Sequence, residues 1–184
     1  DIPIQHVNDD ILKAMNRRGT KAYLQTLFDK IRSRVPDCVI RTSLIAGLPG
    51  EGEAEFLELC DFLKRNRLER VGAFVYSPEE GTPAAEMPRP DEETAKTRAQ
   101  YIEQLQSRIM DEWCQEKVGA SIEVLCEGFD DESGLYYGRS QWDSPDIDSR
   151  VWFTGHDFVP GEFVQVAVTA VRDGELQGAA CQEE

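Results

Sequence analysis

The sequence contains no apolar run of membrane-spanning length. Crossing a bilayer takes about twenty consecutive apolar residues, whereas the 40% of hydrophobic residues here fall into short periodic groups. The opening Asp1-Ile2-Pro3-Ile4-Gln5-His6 has neither the basic region nor the apolar core of a secretion signal. No two of the five cysteines, Cys38, Cys60, Cys114, Cys126 and Cys181, are close enough to form CxxC or CxxxCxxC. A metal or iron–sulfur site built from this chain alone is therefore not expected. The cysteines read as reduced cytosolic thiols that mostly fill core positions. Gly47-Leu48-Pro49-Gly50 is not followed by Lys-Ser/Thr, so it is no P-loop, and it is no dinucleotide fingerprint either. Internal repeats, low-complexity segments and an initiating Met are also missing. The expectation is a soluble, cytoplasmic, folded piece of a longer protein.

Cations are scarce: 20 Lys and Arg face 35 Asp and Glu, a net charge of −15. The imbalance is concentrated in residues 118–184, which hold 14 acidic against 3 basic residues, a net of −11, and residues 1–117 account for the remaining −4. Affinity for nucleic acid depends largely on cations that displace counterions from phosphate. So acidic a segment predicts a basic protein partner and no direct RNA binding; simple solubility is the other reading.

The rest of the chain is organised around Val39-Ile40-Arg41-Thr42-Ser43-Leu44-Ile45-Ala46-Gly47-Leu48-Pro49-Gly50-Glu51. A β-branched run, a Gly/Pro turn and then an acidic amphipathic segment predict a strand, a tight turn and a covering helix. Strand side chains alternate, so Arg41, Ser43, Ile45 and Gly47 share one face and Ile40, Thr42, Leu44 and Ala46 the other. In an α/β barrel the first face lines the interior near the carboxyl ends of the strands, where ligands bind. Gly47 would let a flat ligand approach the backbone, and Gly50 would supply the turn. The plainer alternative is an ordinary βα loop.

Ahead of this centre, Asp1–His6 reads as a short strand. A short helix with Ile11, Leu12 and Met15 follows, then one capped by Thr20 with an apolar stripe Leu24, Leu27, Phe28, Ile31, Val35. Beyond Glu51, a helix over 53–66 leads to the strand Val71–Ser77. Three parallel strands with right-handed crossovers are too few to close a barrel. Their open edges predict that the amino-terminal part aggregates or depends on the long helix. Pro88 and Pro90 mark a hinge into that helix, from about Glu92 to Glu116. Its stripe Ala95, Ala99, Ile102, Leu105, Ile109, Met110, Trp113 is expected to pack back on the preceding domain. From about Val118 the pattern alternates in five short strands separated by Gly, Asp and Pro turns, which predicts a small closed or partly open barrel. The fold class is α/β followed by all-β, divided as 1–90, a connecting helix over 91–117, and 118–184.

Three stretches together carry a family resemblance: Asp1–His6 with Ile11–Gly19, Arg41–Glu51, and Arg70–Thr82 with its Tyr76-Ser77-Pro78-Glu79-Glu80-Gly81-Thr82 loop. They resemble the radical S-adenosylmethionine methylthiotransferases, and the acidic tail is similar to the TRAM domain that closes those enzymes. The Gln5-His6 ending and the Tyr76–Thr82 loop are closer to the branch acting on ribosomal protein uS12 than to relatives acting on tRNA. Gly52 departs from the family's usual Thr or Ser cap. The Asp143–Ser149 segment and the last strands also depart from the pattern of the tail, which bears on the detail of partner contacts.

The resemblance implies the last part of a partial TIM-like (β/α) barrel plus an OB-like TRAM barrel, cut from an enzyme with two 4Fe-4S clusters whose ligands lie outside this chain. In such enzymes a reduced cluster cleaves S-adenosylmethionine to a 5′-deoxyadenosyl radical, which takes hydrogen from the β-carbon of a uS12 aspartate. Sulfur and a methyl group follow, the methyl from a second S-adenosylmethionine. The residues implied in cofactor binding are Gln5, His6, Arg41, Ser43, Ile45, Gly47, Tyr76 and Ser77, with no catalytic residue and no metal ligand of this chain's own. Arg41 would pair with the carboxylate of the cofactor or of a substrate side chain; alternatively it serves a structural Glu. His6 has the alternative of a hydrogen-bonded core residue, and Glu51 reads as a first-turn helix residue facing the dipole. Uptake of uS12 through the acidic tail, a monomeric state and inactivity of the isolated chain complete the expectation. The competing functions are a tRNA adenosine methylthiotransferase and a non-catalytic protein-binding module.

Overall fold

The computed structural model describes residues 1–181. It divides into one unit over Asp1–Ile109 and a second beginning at Met110. The division falls inside the long helix rather than at its ends.

In the first unit, the Asn8 side chain accepts from the backbone N–H groups of Asp10 and Ile11 and starts α1 (Asp9–Ala14). Thr20 caps α2 (Lys21–Arg34) by accepting from the Tyr23 N–H. Strands β1 (Arg41–Ala46) and β2 (Arg70–Val75) pair in parallel, Arg41 with Arg70 through Ala46 with Val75, and α3 (Glu53–Asn66) is the crossover between them. A 3-10 turn at Pro83–Glu86 precedes α4 (Glu92–Glu116).

β1 buries Thr42, Leu44 and Ala46 and leaves Arg41, Ser43 and Ile45 half-exposed, the alternation its sequence predicts. The buried face joins a core that includes Phe28, Leu59, Leu63, Leu68 and Ile102. Gly52 stands at the start of α3 without a side-chain cap, and the Glu55 carboxylate accepts its N–H at 2.9 Å instead. At the other end of α3, Arg32 donates to the carbonyls of Asn66, Arg67 and Cys38 and pairs with Glu69 at 2.7 Å. One guanidinium thus satisfies helix-end carbonyls that have no intrahelical partner.

Two expectations are corrected here. Asp1–His6 is not a strand: a single parallel bridge joins Gln5 to Leu44. Pro3 has no N–H to give a ladder, and Gln5 has a left-handed backbone (φ 68°) that ends extended pairing. The stripe of α4 does not all pack on the first unit. Ala99, Ile102, Leu105 and Ile109 join the first core, whereas Met110, Cys114 and Trp113 belong to the second.

The second unit is a closed five-stranded barrel. Its strands are β3 (Ser121–Asp130), β4 (Leu135–Ser140), β5 (Val151–Thr154), β6 (Phe163–Arg172) and β7 (Glu175–Ala180). The order is β3-β4-β5-β7-β6, closed by β3 against β6, with β5 and β7 parallel and the other pairs antiparallel. Closure removes every open edge. Val124, Cys126, Val151, Phe153, Val166 and Leu176 fill the interior. Lys117 lies over the rings of Trp113 and Trp142, at 4.8 and 4.5 Å. Residues 182–184, assigned to this domain from the sequence, lie outside the described residues.

Cys60, Cys114 and Cys126 are core residues, Cys38 is half-buried and Cys181 is exposed. Burial pushes the Cys60 thiol up to about 11. Alkylation of the native chain at pH 8 is therefore expected to modify Cys181 first and Cys60 only on unfolding, read by peptide mass mapping.

Candidate functional site

The eight residues singled out from the sequence fall into three places. Arg41, Ser43 and Ile45 stand on the open face of β1, and strand register sets Gly72 and Phe74 of β2 beside Ser43 and Ile45. Phe74 is 59% exposed, an unusual position for a large aromatic on a strand. This face carries a cation, a hydroxyl and flat apolar surface together. Gln5 adjoins it: its N–H donates to the Ser43 carbonyl and its own carbonyl accepts from the Ile45 N–H, each at 2.9 Å.

Gly47, Tyr76 and Ser77 line a separate cavity of about 730 Å³ at the carboxyl ends of β1 and β2. Its far wall is the Met87–Glu92 segment with Ala95 and Lys96 of α4. Two cations, Arg89 and Lys96, and two carboxylates, Asp91 and Glu92, border it. Lys96 pairs with Glu92 at 2.5 Å, and Arg89 donates to the Ala85 carbonyl at 2.8 Å.

His6 lies at neither place. It is wholly buried; its Nδ1 accepts from the Asn8 N–H at 3.0 Å, which puts the neutral ring's proton on Nε2, 3.5 Å from a Glu51 carboxylate oxygen. That separation exceeds an ordinary hydrogen bond. The other Glu51 oxygen accepts from the Gly47 N–H at 3.0 Å and from Arg98 at 2.9 Å, and Arg98 also donates to the Glu51 carbonyl. Burial pushes the Glu51 carboxyl up, but His6, the Gly47 N–H and Arg98 outweigh it and hold it below its ordinary value of 4.5.

This corrects the helix-dipole reading of Glu51. It precedes Gly52, the residue that starts α3, and its side chain turns inward to tie the β1–α3 loop to α4 and to the amino-terminal segment. Arg98 was not foreseen. The signal for it is a lone cation in the apolar stripe of α4, between Ala95 and Ile102, where burial demands a partner.

Gly47 also has a different explanation. Its φ is +84°, and a Cβ there would stand 2.4 Å from the Ala95 Cβ. The missing side chain lets α4 pack against the backbone here, beside the cavity that Gly47 lines. Gly47→Ala is expected to cost roughly 2–4 kcal/mol, from left-handed strain plus overpacking, seen as a lower urea midpoint at unchanged slope. Gly50, with φ +83° and open space around it, supplies the turn as expected.

On the barrel unit, Glu123, Asp131, Glu132, Asp146, Asp157, Glu162 and Asp173 are exposed. All three cations of residues 118–184 are engaged: Arg139 with Glu127, Arg172 with Asp173, and Arg150 over the Tyr137 ring at 4.3 Å. The outward field of this unit is negative.

Residues 118–181 match the TRAM domain family. Along its whole length the chain is similar to proteins named "Ribosomal protein uS12 methylthiotransferase RimO". The Acetivibrio thermocellus protein is 41% identical over 185 residues, covering 100% of this chain and 41% of that protein. The Desulforamulus reducens protein is 43% identical, covering 99% of this chain and 42% of its own length. The Clostridium perfringens protein is 41% identical over 100% of this chain and 41% of its own length. The chain thus spans about two fifths of the length of the curated relatives it matches. Residues 118–181 thus match the TRAM domain, and the chain that carries them is similar from end to end to the RimO proteins.

Proposed function

We propose that the intact protein is a cytoplasmic radical S-adenosylmethionine methylthiotransferase that places a methylthio group on the β-carbon of an aspartate of ribosomal protein uS12. This chain contributes binding and orientation and is inactive alone. The observation that carries the reading is the likeness to uS12 methylthiotransferases over the entire chain, barrel strands and TRAM domain together.

The residues present fit one of the implied groups and not the other. Among the described residues no three His, Cys, Asp or Glu side chains gather as a cluster site would need; in this reading the 4Fe-4S ligands come from the rest of the intact protein. S-adenosylmethionine fits better. Arg41 offers a cation for its carboxylate, Ser43 and Gln5 offer polar contacts, and Ile45 offers a flat apolar surface. Gly47, Tyr76 and Ser77 contribute from the cavity side. His6 acts from beneath, through Glu51, by holding the loop that carries Gly47. When bound, the cofactor supplies the radical that an unactivated C–H bond requires; the side chains here bind, orient and exclude water.

The acidic TRAM surface takes the basic substrate protein, with the chain acting as a monomer. Titration of the chain against uS12 and against a tRNA anticodon stem-loop, at two salt concentrations, tests this. Binding to uS12 that weakens with salt, and none to RNA, is the expected result. Preferential RNA binding would move the assignment to a tRNA-modifying relative.

A further inference from the structure

A second cavity, of about 400 Å³, lies across the first turn of α4 from the one that Gly47, Tyr76 and Ser77 line. It is bounded by Glu53 and Phe56 of α3, by Asp91 just before α4, and by Glu93, Arg98 and Tyr101 of α4. Asp91 borders both cavities, whereas Glu92 and Lys96 face only the first and Glu93 only the second. The start of one helix is thus the wall between them. None of the eight candidate cofactor contacts lines the second cavity.

Its chemistry is one-sided. Three exposed carboxylates, Glu53, Asp91 and Glu93, face one guanidinium, a net of −2. That guanidinium is already engaged: the Arg98 Nη1 donates to the Glu51 carboxylate and carbonyl, and its Nη2 reaches Glu53 at 3.3 Å. Helix dipoles explain acids in the first turns of α3 and α4. They do not explain the two aromatic rings set among those acids. Phe56 is buried, with the Arg98 guanidinium carbon 5.1 Å from its ring centre. Tyr101 meets Phe56 edge to face at 5.8 Å, yet stays 44% exposed more than two turns into α4. Rings bordered by carboxylates suit a cation on an apolar stem, which lays its methylenes on the rings and its charge among the acids.

We infer that the second cavity docks a lysine or arginine side chain of the substrate protein, next to the residue that enters the first cavity. Charge complementarity selects this occupant, since the substrate is basic and the cavity has an excess of anions. The inference rests on the proposed function for its partner, and on the cavity for its residues. A helix is about 10 Å across and an extended chain advances about 3.3 Å per residue. The docked cation therefore stands roughly three or four residues along the substrate from the one in the first cavity.

The test uses the full-length protein and the variants Glu93→Gln and Tyr101→Leu, both at exposed positions. Affinity for uS12 is measured at two salt concentrations, with S-adenosylmethionine affinity and the thermal midpoint alongside. Each variant is expected to weaken uS12 about three- to fivefold and to leave S-adenosylmethionine binding and the midpoint unchanged. Glu93→Gln should also flatten the salt dependence, whereas Tyr101→Leu should keep that of the wild type. Unchanged uS12 affinity in either variant would overturn the inference. A lowered midpoint with unchanged uS12 affinity would do so too, by showing that the protein's own chain fills the cavity. Wild-type protein that does not bind uS12 would instead sink the proposed function, and with it the partner named here.

Discussion

Glu51→Gln is expected to destabilise the chain by roughly 3 kcal/mol, because it leaves the buried Arg98 guanidinium without its anion. The substitution keeps the volume and an oxygen for the Gly47 N–H, so the loss is electrostatic rather than a cavity. Arg98 retains Glu53 at 3.3 Å, but that carboxylate is largely exposed and replaces little of what is lost. The pH dependence has a definite sign. The folded-state pKa of Glu51 lies below its ordinary 4.5, so its contribution is fully present above that value and disappears as pH falls through the lower folded one. Wild-type and Glu51→Gln urea midpoints should therefore differ most at neutral pH and converge on acidification below about 4.5. A difference that stays constant through that range would show that Glu51 does not act as an anion here.

The second large effect belongs to the barrel. A Cβ on Gly138 would stand 2.1 Å from the Leu125 carbonyl oxygen and 2.9 Å from a Val124 methyl. The first obstacle is backbone on a paired strand, since β3 and β4 are in register at Leu125–Arg139 and Cys126–Gly138. It cannot swing aside as a side chain would. Gly138→Ala is expected to cost about 3 kcal/mol or more and to lower the melting transition of residues 118–181 while that of the first unit is retained. Tryptophan emission follows it, because Trp113, Trp142 and Trp152 all lie in the second unit. Gly178 faces the Ala167 carbonyl at 2.2 Å and is expected to be equally intolerant.

The parts of this fold that follow a local period were legible in the sequence. The alternation of Arg41–Ala46 told its buried face from its open one, and the shift to period two near Val118 marked a barrel of five short strands. The pairing of β5 with β7 was not legible, since nothing in Val151–Thr154 specifies a parallel partner over twenty residues on. The tie of Glu51 to Arg98 spans 47 positions and leaves only an indirect trace, a cation within an apolar stripe. The packing of Ala95 against Gly47 was not legible either, because sequence shows the absence of a side chain and not which neighbour uses the space. The turn at Gln5 left no trace: glutamine is not a residue that announces a left-handed backbone, and only the structure reveals it.

Among the eight candidate site residues, the strand pattern grouped Arg41, Ser43, Ile45 and Gly47, whereas the structure moves Gly47 to the cavity with Tyr76 and Ser77. The turn after β1 redirects the chain, so a residue one step past the strand no longer shares its face. His6, adjacent to Gln5 in sequence, ends up on the opposite side of the backbone in the core.

The most direct measurement of the central claim is the mass of uS12 from cells that lack the full-length gene and from the same cells after its return. Gain of one methylthio group on an aspartate, present with the full-length protein and absent with residues 1–184 alone, is the predicted result. An unmodified uS12 in both strains, with methylthio groups appearing on tRNA adenosines instead, would contradict it.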